Sequence, residues 1–319
     1  MHLTGEDLCR TCIADGPALM WEITLSRHWL QRNSGGLLGE GWRGSVVRNL
    51  PRSAELLVDL IPPRGYFPDF LTPHGPFTEV TAALDPVLSV PKTRLRQDLE
   101  RLAQNRRPSF WIRELTEGGR GALTRLGNSF HAYHQVAVAP FWKRIQRHVA
   151  HEHVRASALM AEGGTEALLS RLSPTMRWRY PILEVDYPVD RELRPGGRGL
   201  VLIPSFFCRD RPITLVWHDQ TPVLVYPLEH RPLDFVGTVD YGKALDDLLG
   251  NSRATVLEAI SGDCNTSELA RRAGVLTSSA SQHLAVLRRA GLVASRRQGN
   301  SVVHTVTPLG TSLLRVSQP

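Results

Sequence analysis

The chain has 319 residues, 42% hydrophobic and 22% charged, with a formal net charge of +7 and four cysteines. That length predicts two domains, and the composition is that of a globular protein able to bury a core. No apolar run approaches the ~18 residues that cross a bilayer, the opening MHLTGEDLCR lacks the apolar stretch of a secretory signal, and so few cysteines build no disulfide framework, so a cytoplasmic protein is expected with no membrane partner.

In chain order, Thr4-Gly5-Glu6-Asp7 followed by LCRTCI reads as a capped helix start, and PALMWEITLSRHWLQR (17–32) as a second helix. A glycine-rich break follows from Ser34 to Gly44, and the proline-rich turn PPRGYFPDFLTPHGP (62–76) precedes a helix over TRLRQDLERLAQ (93–104). Another helical stretch starts at Leu123, is interrupted at Pro140, and stops at Gly163-Gly164. The period then changes. ILEVDYPV (182–189), GLVLIPSFF (199–207), PITLVW (212–217) and PVLVYPLE (222–229) are short, β-rich and bounded by turn residues, which predicts a small antiparallel sheet. Residues 234–242 read as a linker. The expected architecture is α+β: a mainly helical domain over 1–233, then a winged helix-turn-helix over 243–319.

That second prediction rests on local signals between Asn265 and Val306. Asn265 with Glu268 has capping-box spacing, and Gly274 supplies the positive φ of a tight inter-helix turn. After Val275, Leu276 and Thr277 a second helix follows, with Ala280, Leu284 and Leu287 as its apolar stripe and Gly291 as its stop. LVASRR, a turn at Gln298-Gly299-Asn300, and SVVHTV then form a hairpin. Thr277, Ser278, Ser279, Ser281, Gln282 and His283 near the start of the second helix are the candidates for base or phosphate contact. Arg288, Arg296, Arg297 and Asn300 are candidates for the flanking backbone. From Cys264 to Pro319 there are seven arginines, no lysine and one acid, Glu268, a net +6 against +7 for the whole chain. A localised excess of that kind attracts a polyanion, and duplex operator DNA is the expected partner.

Other chemistry finds weaker footing. Gly39 to Gly44 match GxGxxG, but no buried strand precedes them, so no dinucleotide site and no cofactor are expected. Cys9 and Cys12 form a single CxxC, and His148, His151 and Glu152 share a helical spacing. Each is a candidate redox or metal site, but two small apolar residues on one helix face account for the first more simply, and a solvated helix face for the second, His153 included. The alternative function is therefore a redox- or metal-responsive regulator, or an enzyme domain fused to a DNA-binding tail. No catalytic constellation supports the enzyme. The aromatics Trp21, Tyr66, Phe67, Phe70, Trp111, Trp142, Phe206 and Phe207 are candidates to line an effector pocket.

The strings LGNSRATVLEAI (249–260), TSELARRAGV (266–275), SASQHLAVLRRAGLVASRRQGNSVVHTVT (279–307) and PLGTSLL (308–314) resemble the arsenic-repressor (ArsR/SmtB) class of winged-helix regulators. PPRGYFPDFLTP, GLVLIPSFFCR and PVLVYP resemble the N-terminal part of long actinobacterial members. The resemblance implies a homodimeric DNA-binding regulator, usually a repressor, that sets two reading helices in successive major grooves. It carries no established activity for the N-terminal domain, for which effector sensing or oligomerisation is expected. Where metal-sensing members carry a Cys-x-Cys pair, this chain has Asn265 and Ser267, with Cys264 one residue outside, so the usual inducing metal site is not expected. Leu245, Leu248 and Leu249, with Leu309, Leu313 and Val316, are expected to pair across the dimer axis.

Overall fold

The computed structural model describes residues 1–32, 40–63, 65–73, 75, 77, 79–104, 109–187, 190–209, 211–216, 220–228, 245–246, 248–260, 264–298 and 301–317. The chain divides into two compact units, Met1–Gly237 and Thr238–Pro319. The expected linker, 234–242, lies outside the described residues.

The first unit opens with α1 (Gly5–Arg10), whose cap is reciprocal: Asp7 N–H donates to the Thr4 hydroxyl and Thr4 N–H donates to the Asp7 carboxylate. Next come β1 (Cys12–Ile13) and α2 (Leu19–Leu30), the latter buried along most of its length. α3 (Glu40–Asn49) falls in what reads as a glycine-rich break. Trp42 and Val46, four residues apart, are both buried there, and that anchoring outweighs the roughly 1 kcal/mol that each of Gly41 and Gly44 costs a helix. After a 3-10 turn over Arg52–Leu56 come α4 (Leu57–Leu60), α5 (Val80–Leu88), α6 (Lys92–Ala103), α7 (Phe110–Thr116), α8 (Arg120–Ala137) and α9 (Trp142–Arg171). Gly163 and Gly164 leave helical geometry inside α9, at the expected stop, but the helix resumes beyond them.

The strands form a hairpin, β2 (Met176–Arg179) with β3 (Ile182–Val185), and a four-stranded sheet. In the sheet β4 (Val201–Ser205) and β6 (Val223–Pro227) lie side by side, with β1 and β5 (Ile213–Leu215) on the edges. The α+β class holds, with antiparallel pairing in the hairpin and between β5 and β6. The strand runs alone do not foresee that β1 pairs β4, and β4 pairs β6, in parallel. A sheet covered on both faces explains the continuous apolar runs. Ile203, Val223 and Val225 face the core built by α2 to α8 and the first part of α9. Leu202, Leu224 and Tyr226 face a second core with Leu159, Leu168 and Leu183.

In the second unit, α10 (Asn251–Glu258), β7 (Cys264–Asn265), α11 (Thr266–Arg272), α12 (Thr277–Arg289), β8 (Val293–Gln298), β9 (Ser301–Val306) and α13 (Pro308–Ser317) follow in order. β7, β9 and β8 form one antiparallel sheet, in that order. This is a winged helix-turn-helix. Val256, Leu257 and Ile260 behind, Leu269 in α11, Leu284 and Leu287 in α12, and Leu292 and Val293 entering the wing make its core.

Candidate nucleic-acid interface

α11 begins where the Asn265 side chain accepts Glu268 N–H at 2.9 Å. The reciprocal half of the expected capping box is replaced, because the Glu268 carboxylate pairs with Arg272 one turn on. One of the cations is thereby neutralised locally. Gly274 takes φ +65 and Gly291 φ +73, the left-handed conformation that ends a helix without a Cβ clash. Val275 N–H donates back to Ala270 C=O at 3.0 Å, which closes the turn tightly enough for α12 to cross α11.

α12 has no side-chain N-cap, since the capping position is Leu276. Its first amides are therefore left for an outside acceptor, as at any uncapped helix start. Burial of Ala280, Leu284 and Leu287 fixes which residues turn outward. Thr277, Ser278, Ser281 and Gln282 are exposed, as is Arg288 at the far end, whereas Ser279 and His283 are half-buried. On the wing, Arg296 and Arg297 are exposed, opposite Val303 and Val302. Asn300 lies outside the described residues. A helix start lined by short polar side chains, flanked by guanidinium groups, can present donors to base edges and cations to phosphate.

One residue of this unit has no signal in the sequence. His304 on β9 is buried, with Nε2 2.9 Å from the Thr266 hydroxyl and Nδ1 2.8 Å from the Ser295 hydroxyl. It ties the first turn of α11 to both wing strands. Burial, helped by the Arg288 charge, holds its pKa below the usual histidine value. Nothing but strand register brings Ser295 opposite His304, so local patterning does not find it.

The pairing face expected on the leucines is corrected in part. Leu245 is buried and Leu249, Leu313 and Leu314 pack on the core of their own unit, because the short α10 alone leaves that core open. Leu248 and Leu309 stay 67% and 60% exposed.

The residues of the metal and redox candidates take the following places. Cys9 ends up on α1 and Cys12 on β1, both exposed free thiols, so the two do not share a helical face. The Glu152 carboxylate is bidentate with Arg155, at 2.7 and 2.6 Å, and accepts the Tyr226 hydroxyl at 3.0 Å. It is a structural ion pair tying α9 to β6. His148 lies edge-on to Phe206 with centroids 5.3 Å apart, and His151 is exposed. Among the described residues no three His, Cys, Asp or Glu side chains gather closely enough to hold a metal ion. At the positions that match the family's thiolate pair, Asn265 caps α11 and Ser267 is exposed, while Cys264 is buried with Sγ 3.8 Å from His304 C=O.

The fold and this exposed helix define a winged helix-turn-helix module of the DNA-binding class. Residues 253–295 match the family model described as bacterial regulatory protein, arsR family. The chain thus carries an ArsR-type helix-turn-helix, the DNA-binding element of a transcriptional regulator. No curated protein and no solved structure matches the chain. Among the described residues no helix is long and apolar enough to cross a membrane.

Proposed function

We propose that the protein is a cytoplasmic, homodimeric repressor that binds an imperfect inverted repeat in operator DNA and whose Met1–Gly237 unit senses a small organic effector. The observation that carries the reading is the outward face of α12. Thr277, Ser278, Ser281 and Gln282 are exposed at its start, with Arg288, Arg296 and Arg297 exposed beside them, and the only acid of this region, Glu268, is held by Arg272. Gln282 reads a base, Thr277 and the serines contact base edges or phosphate, and the arginines meet backbone.

A single reading helix covers only a few base pairs. Two-fold pairing doubles the contacts and spaces the helices one DNA turn apart, about 34 Å. The exposed Leu248 and Leu309 supply an apolar surface for that pairing. Footprinting on the promoter region of the protein's own gene, with the mass of the complex measured in parallel, tests the reading. Two protected half-sites a helical turn apart and a two-subunit complex support it. Protection of one half-site by a monomer removes the dimer, and no protected sequence removes the repressor.

A further inference from the structure

Three buried polar groups on α2 lack what their counterparts elsewhere in the same unit possess. Trp42 donates its indole N–H to Ala137 C=O and Trp111 donates to Asp59, each within 2.9 Å, whereas Trp21 Nε1 has no partner. Thr11 and Thr72 donate their hydroxyls to backbone carbonyls, whereas Thr24 Oγ1 has none. Arg155 is held by Glu152, whereas Arg27 Nε is unpartnered and Glu55 reaches that guanidinium only through its charge. Trp21, Thr24 and Arg27 are 2%, 0% and 4% exposed, and Trp21 Nε1, Thr24 Oγ1 and Arg27 Nε are out of reach of bulk water. A buried polar group left in this state costs about 1–3 kcal/mol, and a charge costs more.

The three are not scattered. Their spacing, i, i+3 and i+6, puts them within one third of the circumference of α2, along about 9 Å of its axis. The surroundings are aromatic. Phe67 meets Trp21 edge-on at 6.1 Å and His28 at 6.5 Å, and the Arg27 guanidinium lies 5.9 Å from the centre of the Tyr133 ring. The Arg27 pKa is lowered by burial, which Tyr133 and Glu55 only partly offset. Indole and guanidinium nitrogens can only donate, and threonine can donate as well. At Thr24 and Arg27 the missing partner is therefore an acceptor, and beside a guanidinium an anionic one.

We infer that this side of α2 is a binding site for a small organic carboxylate with an aromatic or alkyl body, its carboxylate held by Arg27 and Thr24 and its body lying against Trp21 and Phe67. The inference deepens the effector-sensing reading and rests on it for its biological role, though not for its chemistry.

The test is thermal melting of the full-length chain with millimolar benzoate or octanoate, the neutral benzamide and octanamide, or inorganic phosphate, repeated on Arg27→Met and on the isosteric Thr24→Val. At least one carboxylate is expected to raise the melting temperature by roughly 5 °C at saturation while its amide does not. Without ligand, Arg27→Met is expected to melt no lower than the natural chain, since it removes a charge whose burial is only partly offset, and both variants lose most of the carboxylate shift. The site is overturned if the carboxylates do no more than their amides, if phosphate alone gives the shift, if Arg27→Met melts well below the natural chain, or if the shift survives both substitutions. Operator affinity measured in the same samples separates the two claims. A melting shift without a change in DNA affinity keeps the site and removes its sensing role. A carboxylate that releases DNA equally from the natural chain and from Arg27→Met keeps the sensing and removes the site.

Discussion

Thr266 and His304 stand 38 residues apart in sequence with their side chains 2.9 Å from one another, so the first turn of α11 is tied to the second wing strand. The imidazole has a hydroxyl on each nitrogen, Thr266 on one and Ser295 on the other. Either hydroxyl can donate or accept, and the neutral ring requires one of each.

The pH dependence follows from sign. Burial, with Arg288 second, lowers the His304 pKa in the fold, so its contribution is complete above the ordinary value near 6.5 and is lost as pH falls through the folded value. Melting temperature is expected to drop between pH 7 and pH 5. His304→Leu is expected to cost about 1–2 kcal/mol at pH 7 and to flatten that part of the profile. Thermal melts of both proteins across this range check it, and an undiminished acid-side slope in the variant counts against the assignment.

Glu22 behaves in the opposite sense. Its buried carboxylate accepts Phe206 N–H at 2.8 Å, Phe207 N–H at 3.0 Å and the Ser205 hydroxyl at 3.2 Å. Burial outweighs these bonds and the pKa is pushed up to about 7. A raised carboxyl pKa contributes stability that is complete below the unfolded value near 4.5 and is lost as pH rises through 7. By about 1.4 kcal/mol per unit, ionisation costs the fold roughly 3 kcal/mol above neutrality. Glu22→Gln is expected to remove most of that alkaline-side decline, read from denaturant unfolding at pH 5 and pH 8.

Reading and positioning are separable on α12 and the wing. Gln282→Ala is expected to reduce discrimination between operator and random duplex by about 1–3 kcal/mol. Arg297→Ala is expected to weaken both alike, because a wing guanidinium meets backbone. Binding isotherms on the two duplexes decide it, and equal losses from Gln282→Ala on both would take that residue out of the readout.

Two glycines probe packing. A Cβ at Gly310 would drive into the Leu292 carbonyl and against Val306, where α13 starts over the wing, so Gly310→Ala is expected to cost about 1–3 kcal/mol. A Cβ at Gly121, in the first turn of α8, meets open space, and Gly121→Ala is expected to stabilise by about 0.5–1 kcal/mol. Unfolding free energies of the two variants test both signs.

The winged helix was legible in the sequence because its determinants are local. Asn265, Gly274 and Gly291 punctuate the helices within a few residues of where they act, and the Ala280, Leu284, Leu287 stripe sets the outward face of α12. His304 was not legible, because its partners are chosen by strand register. In the first unit, β1 is two residues long and pairs with β4 near Val201, a contact across most of that unit which no window of sequence contains. α3 was obscured by glycine, although Trp42 and Val46 already carried the helical spacing. The orphaned Trp21, Thr24 and Arg27 read locally as an ordinary amphipathic helix, and only their burial sets them apart.

That arginines after Cys264, with Arg288, Arg296 and Arg297 exposed among them, serve DNA is tested most directly by the salt dependence of operator binding. If each subunit uses two to four of them on phosphate, a dimer neutralises about four to eight, and log affinity falls against log salt with a slope of roughly −4 to −7. Titrations of the promoter region of the protein's own gene across a range of salt concentrations measure that slope. A value in that range is the predicted result, and a slope near zero would contradict the account.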